Sequence, residues 1–340
     1  MIKNRLVLID SFALIYRAFY GIPMNLTHEG QHINAVYGFA SAILSAIREL
    51  EPEYLVACFD LPKLTKRHAD FVEYKAHRKP MPDDLRGQIS YCKKVLEAMN
   101  IPIMSAEGYE GEDIAATIVS KVSLNPKPSN LNPVETIESI IVTGDSDTFQ
   151  LINAQTRVYS MARGASHAVM YSENTVKERY GLYPADFVDF KALKGDTSDN
   201  IPGVPGIGEK TASTIIQKYH ALDSLYEKIG VELEEQGIIS IETQNSEIKI
   251  PDENMKKIAK NLEISEKVLK LLITYKDQAY LSRKLSQIAS DAPIEFNLAH
   301  SKIHDFEKDN VEKIFSELGF KSLIARIPHS TRSNNQQALF

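Results

Sequence analysis

Cysteine is scarce. The 340 residues hold two, Cys58 and Cys92. Neither belongs to a CxxC or Cys/His cluster, which argues against a disulfide framework and a structural zinc site, and a reducing cytoplasm is expected. Long apolar runs are lacking too. No stretch approaches the roughly 18 uncharged apolar residues of a membrane span, so no membrane partner is expected. The first 17 residues include Lys3, Arg5, Asp10 and Arg17, a pattern unlike a secretory signal. Positive charge is not in excess: 39 Lys and Arg against 45 Asp and Glu give a formal net charge of −6. Global acidity argues against a nucleic-acid partner only when acids and bases are evenly mixed. Here they are not.

Three short apolar runs punctuate the first 150 residues. Leu6-Val7-Leu8-Ile9 ends at Asp10, Leu55-Val56-Ala57-Cys58-Phe59 ends at Asp60, and Ile140-Ile141-Val142 leads through Thr143-Gly144 to Asp145. Each is too short for a helix and reads as a strand buried on both faces. Helical patterns separate them, over 35–50, over 83–99 behind Pro82, and over 111–122 with Ile114, Ala115, Ile118, Val119 and Val122 on one face. Alternating strands and helices predict an α/β fold, a mostly parallel sheet flanked by helices. Ligands of such sheets bind at the carboxyl ends of the strands. Asp10, Asp60 and Asp145 belong there.

Further along, 123–136 holds Pro126, Pro128 and Pro133 and reads as a loop. Residues 173–220 read as helical with a Gly/Pro break at 202–208. Residues 228–252 read as an acidic, weakly patterned insertion, 253–276 and 310–326 as helical, and 327–340 as a disordered tail.

The candidate site acids are Asp10, Asp60, Glu110, Glu112, Asp113, Asp145, Asp147, Asp196 and Asp199. Carboxylates gathered at one mouth repel each other and raise each other's pKa unless cations neutralise them. Hard oxygen donors without His or Cys point to Mg²⁺ or Mn²⁺. The surplus of acids suggests two or more ions, a set that can generate hydroxide and stabilise the leaving oxygen of a phosphodiester. Taken singly, the acids have plainer roles. Glu112 and Asp113 could complement a helix dipole, Asp145-Ser146-Asp147 could be a turn, and Asp196 and Asp199 could cap a helix. The joint pattern favours a shared metal site.

Near misses narrow the chemistry. A haloacid-dehalogenase phosphatase needs Asp-x-Asp after its first strand, and position 12 is Phe. A P-loop needs Lys directly after its second glycine, but Gly208 is followed by Glu209 before Lys210. A Toprim domain would explain Asp145-x-Asp147 and leave Asp10 and Asp60 without a role.

The bases gather elsewhere. Lys63, Lys66, Arg67, Lys75, Arg78 and Lys79 fall within one short stretch against only Asp70 and Glu73. Arg67, Phe71, Tyr74, Lys75 and Arg78 share a face at helical spacing. With few aliphatics to bury, 61–84 reads as a mobile, basic, aromatic gateway for single-stranded DNA. Its cations would meet phosphates while Tyr74 or Phe71 stacks on bases. In Gly203-Val204-Pro205-Gly206-Ile207-Gly208, three glycines let backbone N–H groups approach a phosphate, helped by the following helix N-terminus.

These residues together resemble a known family, the 5′ nucleases, particularly the 5′→3′ exonuclease domain of bacterial DNA polymerase I, with flap endonucleases as relatives. The resemblance spans about 5–326. It is carried by Val7-Leu8-Ile9-Asp10 with Tyr16-Arg17-Ala18-Phe19, Ala35-Val36-Tyr37-Gly38-Phe39, Phe59-Asp60, and Arg67-His68 with Tyr74-Lys75-x-x-Arg78. Gly108-Tyr109-Glu110-Gly111-Glu112-Asp113, Thr143-Gly144-Asp145-Ser146-Asp147, Gly195-Asp196-Thr197-Ser198-Asp199-Asn200 and Gly206-Ile207-Gly208-Glu209-Lys210-Thr211 complete it.

The resemblance implies a PIN-like catalytic domain over 1–183 with a helical arch at 61–100. It implies a helix–three-turn–helix module over 184–326 that grips duplex DNA, often with K⁺, with an insertion near 228–262. It implies divalent-metal hydrolysis of 5′ flaps, nicks and RNA primers in replication and repair. Carried over by position, the nine acids hold metal, and Lys75 and Arg78 are catalytic. Arg67, Tyr74, Lys75, Arg78, Gly203, Gly206, Gly208, Lys210 and Thr211 bind DNA. Position 112 departs from the family, which usually has Asp there, and Lys66 stands where Phe is common. A freestanding, monomeric nuclease without polymerase activity, at the bacterial nucleoid, is expected. The final Gln336-Gln337-Ala338-Leu339-Phe340 resembles a sliding-clamp-binding pentapeptide, with Gln336, Leu339 and Phe340 as its anchors. The rival readings are a PIN-type single-strand ribonuclease, disfavoured by the glycine-rich module, and a non-catalytic replication scaffold, disfavoured by the retained acids.

Overall fold

The computed structural model describes residues 4–61, 64–124, 136–161, 167–238, 250–303 and 306–329. It divides into two compact units. The first comprises Met1–Lys66, Lys79–Glu173 and Ile288–Phe340, and the second Arg67–Arg78 and Asn174–Gln287. Neither unit is one contiguous stretch of the chain. Residues 67–78 group with the helical unit, and the stretch from 288 returns to the sheet unit. Ranges read along a chain cannot show such returns.

The first unit is built on a six-stranded sheet. Its strands are β1 (Arg5–Asp10), β4 (Tyr54–Cys58), β5 (Ile103–Met104), β6 (Glu138–Thr143), β7 (Thr156–Ser160) and β8 (Val169–Tyr171), in the order β5-β4-β1-β6-β7-β8. All neighbours are parallel except β7 and β8. The expected parallel sheet is present, and the three apolar runs are its adjacent strands β4, β1 and β6. A short hairpin, β2 (Thr27–His28) with β3 (Gln31–His32), stands apart from that sheet.

Helices α1 (Ser11–Gly21), α2 (Asn34–Leu50), α4 (Asp83–Ala98), α5 (Gly111–Leu124), α13 (Lys308–Glu317) and α14 (Lys321–Ile324) belong to the same unit. One apolar cluster joins Val7, Ile9, Leu14, Phe39, Ile43, Val95, Leu96, Phe315 and Phe320. The first N–H groups of α2 are met by a buried side chain of α4. Gln88 Oε1 accepts from Ala35 and Val36 at 2.8 and 3.3 Å. Helix α4 therefore belongs to this core, not to an arch spanning 61–100. Its Leu85, Cys92, Val95 and Leu96 are fully buried.

The second unit is helical. It holds α6 (Glu173–Tyr180), α7 (Phe187–Lys194), α8 (Glu209–Tyr219), α9 (Leu222–Glu235), α10 (Asp252–Asn261), α11 (Glu266–Thr274) and α12 (Lys276–Ser286). The five-residue α3 (Lys66–Asp70) spans the join between the units. Two expectations are corrected here. Residues 222–235 form a regular helix reaching into the supposed insertion, because Leu225, Ile229 and Leu233 recur at helical spacing and are buried. The helical stretch 253–276 is two helices, with Ser265 restarting the second by accepting from Val268 N–H at 3.2 Å. The Pro126–Pro133 stretch, residues 239–249 of the insertion, Lys63 and the clamp-like tail with Gln336, Leu339 and Phe340 lie outside the described residues.

Candidate active site

Parallel register decides where the first acids meet. Asp10 ends β1 and pairs with Cys58, the last residue of β4; Ile9 pairs with Val142 of β6. The chain then leaves each strand at its carboxyl end through Asp60 and Asp145. Chain order changes side between β1 and β6, with β4 on one flank of β1 and β6 on the other. Open α/β sheets bind ligands at such switch points.

Asp10 lies at the centre of this group. Its Oδ1 accepts the Ala13 N–H at 3.2 Å and so caps α1. Its Oδ2 accepts the Thr143 hydroxyl at 2.6 Å, and that hydroxyl oxygen accepts the Asp145 N–H at 3.0 Å. Burial raises the Asp10 pKa to about 7; Thr143 and Ala13 oppose the rise, and the charges of Asp60 and Asp145 add to it. Burial also pushes up the neighbouring Cys58 thiol, again with help from Asp10 and Asp60. Three carboxylates thus crowd one mouth, as expected from the strand ends. The thiol is kept protonated and is no nucleophile.

The remaining acids of this unit have local partners. Asp145 Oδ1 accepts the Asp147 N–H at 2.9 Å and caps the 3₁₀ turn Ser146–Leu151. Asp60 Oδ1 accepts the Gly111 N–H at 2.6 Å. A Cβ at 111 would stand 2.9 Å from that oxygen, so only glycine lets the carboxylate close on the backbone. Asp113 Oδ2 accepts the Glu110 N–H at 2.9 Å and is buried, as Glu110 is. Glu112 is half-buried one residue away in the first turn of α5. Asp145 is thus both a turn cap and a member of the acid mouth.

Metal fit turns on donor chemistry. Among the described residues, no three His, Cys, Asp or Glu side chains are arranged to enclose an ion by themselves. A hydrated divalent ion needs only one or two carboxylates together with water and phosphate oxygens. The Asp10, Asp60 and Asp145 carboxylates offer oxygen alone, and a cation would relieve the desolvation and repulsion that raise the Asp10 pKa. These residues fit a hard divalent ion.

Asp196 and Asp199 belong to the second unit, and cations meet them there. Asp196 Oδ2 accepts from Lys191 Nζ at 2.6 Å, and Oδ1 accepts the Ser198 N–H at 2.7 Å. Burial raises its pKa, but Lys191 and Ser198 outweigh it and hold the carboxyl at about 2. Asp199 is buried. It pairs with Lys75 at 3.5 Å and with the Arg78 guanidinium, and it accepts the Tyr74 hydroxyl at 3.2 Å.

This corrects the reading of 61–84 as a poorly buried helical face. Helix ends at Asp70, and Lys75 has a φ of +55°. Tyr74 is 1% exposed, packed with Ile201 and Leu285, and in this conformation its ring is not presented to a base. Arg67 is buried as well and donates to the Gln287 carbonyl at 3.0 Å. Composition shows few aliphatics in the segment. It cannot show that another stretch supplies the apolar partners.

The glycine run needs a partial correction. Gly203 is buried, and its N–H donates to Ser282 Oγ at 3.0 Å. With φ at +62°, it approaches Gly195 so closely that a Cβ would stand 2.3 Å from the Gly195 nitrogen. Its glycine identity serves chain packing. Gly206, Gly208 and Lys210 are exposed at the start of α8, where unpaired N–H groups and the helix dipole favour an anion. Thr211 is half-buried in the first turn.

Sequence reasoning did not assign roles to Thr143 and Lys191. Thr143 stands in the quoted Thr143-Gly144-Asp145 motif, but only the register shows its hydroxyl linking Asp10 to Asp145. Lys191, five residues before Asp196, carries no sequence signal beyond that spacing.

A family model described as the 5′-3′ exonuclease N-terminal resolvase-like domain matches residues 5–181, and one described as the 5′-3′ exonuclease C-terminal SAM fold matches 182–309. The chain is 33% identical over 335 residues to DNA polymerase I of Bacillus subtilis, covering 98% of this chain and 33% of that protein. It is 34% identical over 325 residues to DNA polymerase I of Caldicellulosiruptor bescii, covering 95% and 33%. It spans about a third of the length of these curated relatives. A solved structure of the T5 5′-exonuclease with divalent metal ions (zinc) bound is 19% identical, with a TM-score of 0.53, over 93% of this chain and 99% of that one. At that identity the likeness concerns the fold.

Proposed function

The chain belongs to the 5′-3′ exonuclease family, and from that premise we propose that it is a Mg²⁺- or Mn²⁺-dependent nuclease that cleaves 5′ flaps and 5′ ends of DNA during primer removal and repair. One observation carries the metal reading. The buried Asp10 carboxylate ends β1, and the Asp60 and Asp145 carboxylates that follow the adjacent parallel strands β4 and β6 add their charges to the burial that raises its pKa. The T5 5′-exonuclease, whose fold is similar, was solved with divalent metal ions, which supports the cofactor class.

Divalent ions held here would supply activation of the attacking water at neutral pH and charge stabilisation for the departing oxygen. Asp10, Asp60 and Asp145 would hold them, with Glu110, Glu112 and Asp147 in adjoining turns. Thr143 fixes the Asp10 carboxylate relative to the Asp145 backbone. Lys75 and Arg78 would leave Asp199 to neutralise the phosphate of the incoming strand. The exposed amides of Gly206 and Gly208, with Lys210 and Thr211, would grip a duplex phosphate without reading sequence. A K⁺ ion in that turn is part of the same reading.

The tail supplies the partner. Leu339 and Phe340 are large apolar anchors on a polar stretch, and Gln336 can hydrogen-bond at a pocket rim, which suits a sliding clamp. The affinity expected is about micromolar, roughly −8 kcal/mol. The protein acts as a monomer in this scheme.

Cleavage of an end-labelled 5′-flap duplex is the test. Incision near the flap junction with Mg²⁺ and none in EDTA is expected; wild-type cleavage in excess EDTA overturns the metal mechanism. Lys75→Ala and Arg78→Ala should slow single-turnover cleavage more than they weaken duplex binding. Substitution of Lys210 should weaken binding with a loss of about 1 in the log–log salt slope.

A further inference from the structure

The N-terminal turn of α5 is tied to a segment far away in sequence. Asp113 is 2% exposed. Its Oδ2 accepts the Glu110 N–H at 2.9 Å, and its Oδ1 accepts the Ala289 N–H at 2.8 Å. One turn along α5, Thr117 Oγ1 donates to the Asp113 carbonyl at 2.7 Å and accepts the Ala292 N–H at 3.0 Å. From another part of the unit, Gln150 Oε1 accepts the Ile288 N–H at 2.9 Å while its Nε2 donates to the Asp147 carbonyl at 2.9 Å. Residues 288–292 are thus fastened at three backbone N–H groups. Their partners are side chains that also hold the Glu110 turn and the Asp147 turn.

We propose that Asp113 is a positioning residue and that residues 288–292 are a brace setting the Glu110 turn against the Asp147 turn. The inference rests on the divalent-metal reading of this site, and it removes Asp113 from the ion-contacting acids. Its two oxygens hold the Glu110 and Ala289 N–H groups, and the carboxylates whose charges act on Asp10 are Asp60 and Asp145, so Asp113 is assigned to act through Glu110. Partners that orient metal ligands in this way are often as consequential as the ligands. The brace also explains why a segment that follows the whole helical unit returns to the sheet unit.

Two variants test this. In Asp113→Asn, an NH₂ replaces one oxygen and faces a backbone N–H, so one of the two bonds is lost. Thr117→Val deletes a hydroxyl of the brace and alters no acidic side chain. Expected for Asp113→Asn is a fall in kcat of about 10–100-fold, with a higher Mg²⁺ midpoint, an unchanged KM for flap DNA and faster amide exchange at Glu110 or Ala289, whichever faces the new NH₂. The Mn²⁺ stoichiometry of the DNA-free protein should stay as in wild type. Thr117→Val should move the Mg²⁺ midpoint in the same direction by a few-fold, and it decides alone if the first variant does not fold.

Loss of one bound Mn²⁺ in Asp113→Asn, with Thr117→Val behaving as wild type, would make Asp113 a ligand and overturn the brace. A lowered Tm in both variants with no change in Mg²⁺ dependence would reduce the contacts to plain structure and overturn it too. If the wild-type protein neither cleaves flaps nor binds Mn²⁺, the functional reading fails separately. Exchange at Glu110 and Ala289 then decides: protection lost at either in Asp113→Asn upholds the brace, and unchanged protection at both overturns it.

Discussion

The acids of the two units are stabilised by different means. In the sheet unit, Asp10 is met by a hydroxyl and a backbone N–H and sits beside Asp60 and Asp145. In the helical unit, Asp196 is met by Lys191, Asp199 by Lys75 and Arg78, and Asp189 and Asp223 by Arg283. Hydrogen bonds from neutral donors orient a carboxylate without cancelling its charge. Ion pairs cancel it. The first arrangement keeps negative charge available at a strand-end mouth, where it favours an arriving cation. The second spends charge on structure, and the groups it ties up must be released before they can act on a ligand. The same residue type therefore serves opposite ends, and the difference can be broken by substitution.

The largest effect is expected at the mouth. Asp10→Asn or Asp145→Asn should lower flap cleavage by about a thousandfold or more, because such acids act as a unit. Single-turnover kinetics on a labelled flap would show it, and flap affinity should hold or rise as repulsion toward phosphate falls. Activity within a few-fold of wild type would place the catalytic centre elsewhere.

Stability should respond with the opposite sign in the two units. The folded-state pKa of Asp10, about 7, lies above its ordinary 3.8, so the folded protein binds this proton more tightly than the unfolded chain does. Its contribution to the metal-free protein therefore declines as pH rises from about 4 through 7. Asp10→Asn should remove that decline and stabilise the metal-free protein at pH 8 by about 2–4 kcal/mol. Urea unfolding in EDTA measures it, and added Mg²⁺ should erase the advantage. A destabilised Asp10→Asn protein under those conditions would contradict the picture of crowded charge.

In the helical unit, removing a partner should cost stability instead. Lys191→Met leaves Asp196 short of its cation and should cost about 2 kcal/mol at pH 7. The Asp196 pKa, about 2, lies below the ordinary value of 3.8, so its contribution is complete above that value and is lost as pH falls through 2. The cost of Lys191→Met should shrink accordingly between pH 5 and pH 2. A cost that stays constant across that range would make it a packing effect.

The smallest change sharpens the comparison at a single atom. Tyr74→Phe deletes the hydroxyl that donates to Asp199 and keeps the buried ring. It should cost about 1 kcal/mol. A gain in flap cleavage would indicate that this bond holds Lys75 and Arg78 back.

Local pattern was enough for the sheet and for the acids that end its strands. Leu6–Ile9, Leu55–Phe59 and Ile140–Val142 are apolar on both faces and alternate with helical patterns, as in a parallel sheet covered by helices, so Asp10, Asp60 and Asp145 were expected together and are found so. Helices over 35–50, 83–99 and 111–122 were legible for the same reason: their spacing is periodic, and burial follows the period. The fate of 67–78 was not legible. Its composition is that of a solvated segment, and Tyr74 becomes core only because Ile201 and Leu285, over a hundred residues away, meet it. The same holds for Gly203, whose glycine identity is fixed by the backbone of Gly195, and for Asp113, whose second oxygen is claimed by Ala289. Sequence by itself determined what each stretch can form, because helix and strand periods are local and short. Tertiary structure alone decided which charges are neutralised and which stay available. That choice depends on partners brought within a few ångströms by folding, and such partners leave no mark at any fixed spacing in the chain.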